Sequence, residues 1–164
     1  MRVALLSTPI FTVPPKNYGG LELVVSELAK NLVLLGHDVT VFAPSGSYVK
    51  GCRMVDVGPP KTEDFSNFLS WFKHEKAMYE KIKGMLTPVN FDVVHGHNFF
   101  GFEYKAKEQY PDLHVLHTHH TPLNCKFNYD FDLNFVAVSQ WMRENYVRSG
   151  IRDCNVVYNG VDTD

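Results

Sequence analysis

The chain has 164 residues, 45% hydrophobic, 21% charged and 13% aromatic, enough to bury roughly 68–70% of the surface its unfolded form would expose. Such a composition excludes a disordered tail, a collagen-like repeat and a coiled coil. The formal net charge of −2 supplies no basic face for a nucleic-acid duplex, and no apolar run reaches the ~20 residues of a membrane helix.

Short β-branched runs alternate with longer segments of helical periodicity. Residues 2–6 (RVALL) read as a buried strand, not as a signal peptide. After a Pro-rich loop, Leu21, Val24, Val25, Leu28, Ala29, Leu32 and Leu35 recur at the i, i+3, i+4, i+7 spacing of a helix that Gly36 closes. Strands follow at 38–43 (DVTVFA) and 53–57 (RMVDV). Residues 64–86 read as one long helix, with Phe65, Phe68, Leu69, Phe72, Tyr79, Ile82 and Leu86 on its apolar face. Lys73, Lys76, Lys81 and Lys83 on the other face are either a solvated surface or one for an anionic membrane or partner. Further strands are expected at 91–95, 113–118, 134–138 and 154–158, with helices at 99–109 and 140–149 and an irregular stretch at 121–133. Ser139 is placed to cap the helix that follows it.

Strands that alternate with helices imply parallel crossovers and a sheet covered on both faces. The expected fold class is therefore α/β, a Rossmann-like doubly wound parallel sheet formed by residues 1–164 as one domain, with no internal repeat or linker. Cys52, Cys125 and Cys154 are odd in number and lack metal-like spacing, which argues against a disulfide framework and for a reducing cytoplasm.

In such a sheet, ligands sit at the carboxyl ends of the strands, where the strand order reverses. Two sets of residues fall there. Gly19 and Gly20, in PKNYGGLE, stand before the first helix, where a bare backbone and unpaired N–H groups can receive a phosphate. A tight turn that merely starts a helix would use the same residues, and GxGxxG is absent, which counts against a dinucleotide site. The second set is histidine-rich: His95 and His97 in DVVHGHN, then His117, His119 and His120 in LHTHHTP. Alternation places His95 and His97 on one side of their strand, as it does His117 and His119, with His120 just beyond. Imidazoles can hydrogen-bond a sugar hydroxyl, stabilise developing charge or hold a metal. Zinc calls for roughly three or four convergent ligands with carboxylates in support, and neither motif contains one, so no metal is expected. At least one of the five is expected to face a ligand.

Residues 156–162 (VVYNGVD) read as a last strand and an Asn-Gly turn, as if the polypeptide were cut at a boundary. Taken in order, Tyr18-Gly19-Gly20, LGHDVTVFAP, DVVHGHN, HTHHTP, FVAVSQWM and VVYNGVD resemble the N-terminal domain of the retaining, two-lobed (GT-B) glycosyltransferases of family four. The resemblance implies the acceptor-side lobe of an enzyme moving a sugar from a UDP- or GDP-type nucleotide sugar to a sugar, lipid or small-molecule acceptor. It implies that Gly19 and Gly20 approach the donor phosphates, and that His120, with His119 as runner-up, contacts the transferred sugar as the catalytic histidine. His97, Asn98 and Thr121 would lie on the acceptor side, with no metal or cofactor required. The chain's own C-terminal domain would bind most of the nucleotide. One lobe supplies one wall of the cleft, and positioning is worth ~7–11 kcal/mol of barrier, so residues 1–164 alone are expected to transfer no sugar. A cytoplasmic protein is expected, with the lysine face open to peripheral contact with the inner membrane face. The competing readings are a stand-alone Rossmann-like ligand-binding module and a small metallohydrolase built on the histidines.

Overall fold

The computed structural model describes residues 1–64, 67–123, 134–151 and 154–160. Strands β1 (Arg2–Leu6), β2 (Asp38–Ala43), β3 (Arg53–Asp56), β4 (Val93–Gly96), β5 (His114–His119), β6 (Asn134–Ala137) and β7 (Cys154–Val156) form one sheet in the order β3-β2-β1-β4-β5-β6-β7. Every neighbouring pair is parallel. The order reverses between β1 and β4, so the sheet is doubly wound and its crevice opens at that junction.

Alternation along the strands feeds two cores. Ala4, Leu6, Phe42, Val94, Val115, Phe135 and Ala137 pack under α2 (Phe68–Ile82), α3 (Tyr104–Gln109) and α4 (Gln140–Arg148). Val3, Leu5, Val39, Val41 and Ala43 pack under Val25 and Ala29 of α1 (Gly20–Leu34). Over β4–β6 on the α1 side the sheet carries an open hollow of about 730 Å³, lined by His95, Leu116, Thr118 and Val136.

The helix expected over 64–86 is three pieces: a 3₁₀ turn at Thr62–Asp64, α2, and a second 3₁₀ turn at Lys83–Met85. Asn67 sets the start of α2, its side chain accepting from the Ser70 N–H at 3.2 Å. The buried face of α2 is also rotated from the one its apolar spacing indicates. Leu69 is 72% exposed and Phe72 42%, whereas Glu75 is buried beside Met78 and Tyr79. The carboxylate of Glu75 accepts from the backbone N–H groups of Phe99 and Phe100, at 2.9 and 3.0 Å, and this bonding draws its face inward. The same bonds delay α3. Phe99, Phe100 and Gly101 spend their N–H groups on the side chains of Glu75 and Asn98, and the helix expected from 99 begins at Tyr104. Ser139 caps α4 as expected, accepting from the Met142 N–H at 3.2 Å. Of the irregular stretch at 121–133, residues 124–133 lie outside the described residues.

On the polar side of α2, Lys81 donates to the Asp56 carbonyl and Lys83 pairs with Glu80 at 2.5 Å. Among the described residues, no helix is long and apolar enough to cross a membrane.

Phe42 is fully buried on a central strand and meets Phe91 edge-on, with centroids 5.9 Å apart. Phe42→Ala should lower the unfolding free energy by about 3–5 kcal/mol, the cost of an aromatic-sized cavity. Urea titration measures it, and a loss below about 1 kcal/mol would mean that the core around β2 can collapse into the space.

Candidate active site at the carboxyl edge of the sheet

Register decides how the histidines meet. In the β4–β5 pair His95 is opposite Leu116 and Gly96 opposite His117, so the two histidine sets lie on opposite faces. On the α1 face His95 Nε2 is 2.8 Å from Thr118 Oγ1. On the other face His117 and His119 point into the α2–α4 core. The sets join only where the chain leaves the sheet: His97 Nδ1 is 3.1 Å from His120 Nε2, the two rings stacked.

Behind them runs a chain of buried polar groups. The wholly buried Glu103, at the N-terminal boundary of α3, places Oε1 2.5 Å from His117 Nδ1. His117 Nε2 is 3.3 Å from His119 Nδ1, and His119 Nε2 is 3.2 Å from Thr121 Oγ1. Asn98 donates to the other Glu103 oxygen at 2.9 Å and accepts from the Gly101 N–H at 2.8 Å. The Tyr146 hydroxyl, rising from α4, donates to the His119 carbonyl at 2.7 Å and holds the end of β5 in place.

Beyond this layer lies a cavity of about 230 Å³ whose walls include Thr8, Tyr18, Gly19, Gly20, Glu22, Trp71, Phe99, His120 and Thr121. The two glycines serve it differently. Gly19 has φ +145°, and a Cβ there would come within 2.7 Å of Pro15 and 2.9 Å of Glu22, so the fold itself demands glycine. Gly20 is exposed, has no positive φ, and a Cβ would meet nothing within 4 Å. The fold does not require glycine there. Gly19, at the N-cap of α1, offers no side chain to the first-turn N–H groups, and the Glu22 carboxyl takes a bond from its own backbone N–H there. Glu22, in that first turn, is 3% exposed and bonded to the Thr8 hydroxyl.

The residues singled out from sequence thus fall into two layers. Gly19, Gly20, His120 and Thr121 line the cavity together. His119, His97 and Asn98 are 4%, 1% and 5% exposed and stand behind it, with His97 reaching instead the hollow on the α1 face. Sequence reading missed Glu22, Glu75 and Glu103. The acidic residue three positions after Gly19 was a visible signal for Glu22; nothing local marks the other two.

Burial controls the ionisation of this edge. His95 and His119 are pushed down to about 3 and His120 to about 4, first by burial and then by their histidine neighbours, so all three stay neutral near pH 7. His97 is driven well below its ordinary value for the same reasons. Burial pushes the Glu75 carboxyl up to about 8, against its two backbone bonds, and pushes Glu22 upward against its bond from Thr8. Among the described residues, no three His, Cys, Asp or Glu side chains are arranged to hold a metal ion. Seven of the ten imidazole nitrogens of this edge are bonded to one another, to Glu103 or to a threonine, while His97 Nε2 is buried without a partner.

The opposed shifts have opposite consequences for stability. Histidines depressed in the folded state cost stability as pH falls below about 6.5, because the unfolded chain takes up protons that the folded one refuses. Glu75, raised to about 8 from an ordinary 4.5, costs stability as pH rises through that interval, because the unfolded chain releases a proton the folded one keeps. Glu75→Gln mimics the protonated carboxyl. Its melting temperature should stay level from pH 6.5 to 8 while that of the wild type declines, as followed by circular dichroism. An equal decline in both would show that Glu75 is ionised in the folded state.

Comparison with known proteins gives this edge its context. The chain is 28% identical over 127 residues to an uncharacterized glycosyltransferase, MJ1607, of Methanocaldococcus jannaschii, covering 72% of this chain and 31% of that protein. Its fold is shared with two solved structures. AviGT4, a glycosyltransferase involved in avilamycin A biosynthesis, matches with a TM-score of 0.64 at 23% identity, over 98% of this chain and 42% of that one. Sucrose-phosphate synthase from Thermosynechococcus elongatus matches with a TM-score of 0.58 at 17% identity, over 98% and 48%. The chain therefore spans less than half the length of each of these proteins. The family model of Glycosyltransferase Family 4 matches residues 18–164, from the tyrosine before the glycine pair through both histidine motifs, and the chain belongs to that family.

Proposed function

We propose that residues 1–164 are the acceptor-side N-terminal lobe of a GT-B glycosyltransferase. The complete enzyme would transfer a sugar, with retention, from a UDP- or GDP-type donor to a sugar, lipid or small-molecule acceptor. The observation that carries this reading is Gly20: a glycine the fold does not need, at the N-terminus of α1, sharing one cavity with His120. As the sugar departs, negative charge builds on the diphosphate, and backbone N–H groups at a helix start stabilise it without reorganising. His120, held neutral and bonded to His97 behind it, offers its imidazole to a hydroxyl of the transferred sugar, with His119 the runner-up for that role. Thr121, at the cavity wall, His97 and Asn98 are the acceptor-side groups. The nucleotide would be held by a C-terminal domain of the same protein, in keeping with the partial length of the matches. Leu69 and Phe72, exposed beside Lys73 and Lys76, support peripheral contact with the inner face of a membrane in the cytoplasm.

Two substitutions in the complete enzyme test the reading. His120→Ala should lower kcat/KM by roughly 10²-fold, the scale of one lost transition-state contact, with folding retained. Near-wild-type turnover would remove His120 from the chemistry. Gly20→Val fills open space at the helix start, so the melting temperature should hold while KM for the nucleotide sugar rises. Unchanged donor affinity in a folded Gly20→Val protein would reduce the glycine pair to a turn.

A further inference from the structure

The buried chain behind the cavity has a direction, and Glu103 sets it. Both of its carboxylate oxygens accept. Asn98 is oriented by the Gly101 N–H on its oxygen, so its NH₂ faces Glu103 Oε2, and Oε1 receives His117 Nδ1 at 2.5 Å. An N–H of His117 is thereby fixed on Nδ1, and a ring carrying one N–H has its Nε2 bare. A bare Nε2 can only accept, so His119 must donate from Nδ1 across the 3.3 Å contact. A neutral imidazole carries one N–H, so His119 Nε2 is bare in turn and accepts the hydroxyl hydrogen of Thr121 at 3.2 Å. Thr121 lines the cavity and has given its only hydrogen inward. Toward a ligand its oxygen can then only accept.

We infer that Glu103 is a positioning residue which, through His117 and His119, polarises Thr121 into a hydrogen-bond acceptor for a substrate hydroxyl. This rests on the glycosyltransferase reading only for the identity of that hydroxyl as a sugar's or an acceptor's. Gly96 belongs to the same device. It pairs with His117 across the sheet, and a Cβ on it would fall 1.8 Å from Glu103 Oε1. Glycine at 96 is required so that a carboxylate can stand beside the imidazole.

Nitrogen-15 NMR of imidazole-labelled protein reads the tautomers directly in the wild-type chain. His117 and His119 should both carry their N–H on Nδ1 and none on Nε2. A proton on Nε2 of either one would overturn the inference, because the chain would then run outward and Thr121 would donate. In Glu103→Gln, Asn98 claims the amide oxygen and the amide NH₂ faces His117, so both histidines should switch to Nε2–H. Gly96→Ala, which displaces the carboxylate without removing it, should disturb the same two signals. Unchanged tautomers in a folded Glu103→Gln protein would refute the role of Glu103. In the complete enzyme, assayed with UDP-glucose and GDP-mannose as probes, Thr121→Val should lower kcat/KM about tenfold or more, the worth of one hydrogen bond, and Thr121→Ser should restore most of it. Full activity of Thr121→Val would overturn the acceptor role of Thr121 while leaving the tautomer result intact. Correct tautomers with no transfer from any nucleotide sugar would count against the enzymatic reading and not against the chain.

Discussion

Polar groups removed from water must find partners inside the protein, and at the carboxyl edge of this sheet that requirement organises everything else. Strands β4 and β5 end in histidines, and the fold covers His117 and His119 of β5 with α2, α3 and α4. Burial favours the neutral form of His119 and His120, and most of the ring nitrogens at this edge find partners. The result is a contiguous network in which Glu103, His117, His119 and Thr121 satisfy one another, with Asn98 and Tyr146 holding the ends. A layer so committed is rigid, and a rigid layer is what a cavity needs behind it if its wall is to keep one geometry.

Three glycines around the edge answer to three different causes. Gly19 is required by its backbone angle and by the closeness of Pro15 and Glu22. Gly96 is required by a side chain, since Glu103 occupies the space a Cβ would take. Gly20 is required by neither, and the proposed approach of a phosphate is what gives it a purpose. In sequence the three look alike. Only the surroundings of each separate structural need from functional opportunity.

Helix α2 shows the same pressure acting on secondary structure. Its apolar spacing favours a face containing Leu69 and Phe72, yet Glu75 goes inward and those two stay out. The backbone at Phe99 and Phe100 turns away from helical bonding near the end of β4, and its N–H groups need acceptors. Glu75 provides them, so a polar debt incurred at the sheet edge sets the rotation of a helix and delays the start of the next one.

Alternating β-branched runs and helical periodicity were enough by themselves to determine a parallel α/β fold, its strands to within one or two residues, and the strand ends as the place to look. They were enough because burial of each strand face and each helix stripe is a local pattern. The histidine motifs and the glycine pair were legible for the same reason, each being a short run at a predicted strand or helix end. The partition of those residues was not legible. Whether His117 shares a face with His95 depends on a one-residue register between β4 and β5 that no single strand encodes. Glu75 and Glu103 read in sequence as ordinary helix carboxylates. Their burial arises from backbone and imidazole donors that are 24 and 14 residues away along the chain. Tertiary structure alone decided which histidines meet the cavity and which stand behind it, because that choice belongs to the pairing of buried donors with acceptors across separate strands and helices.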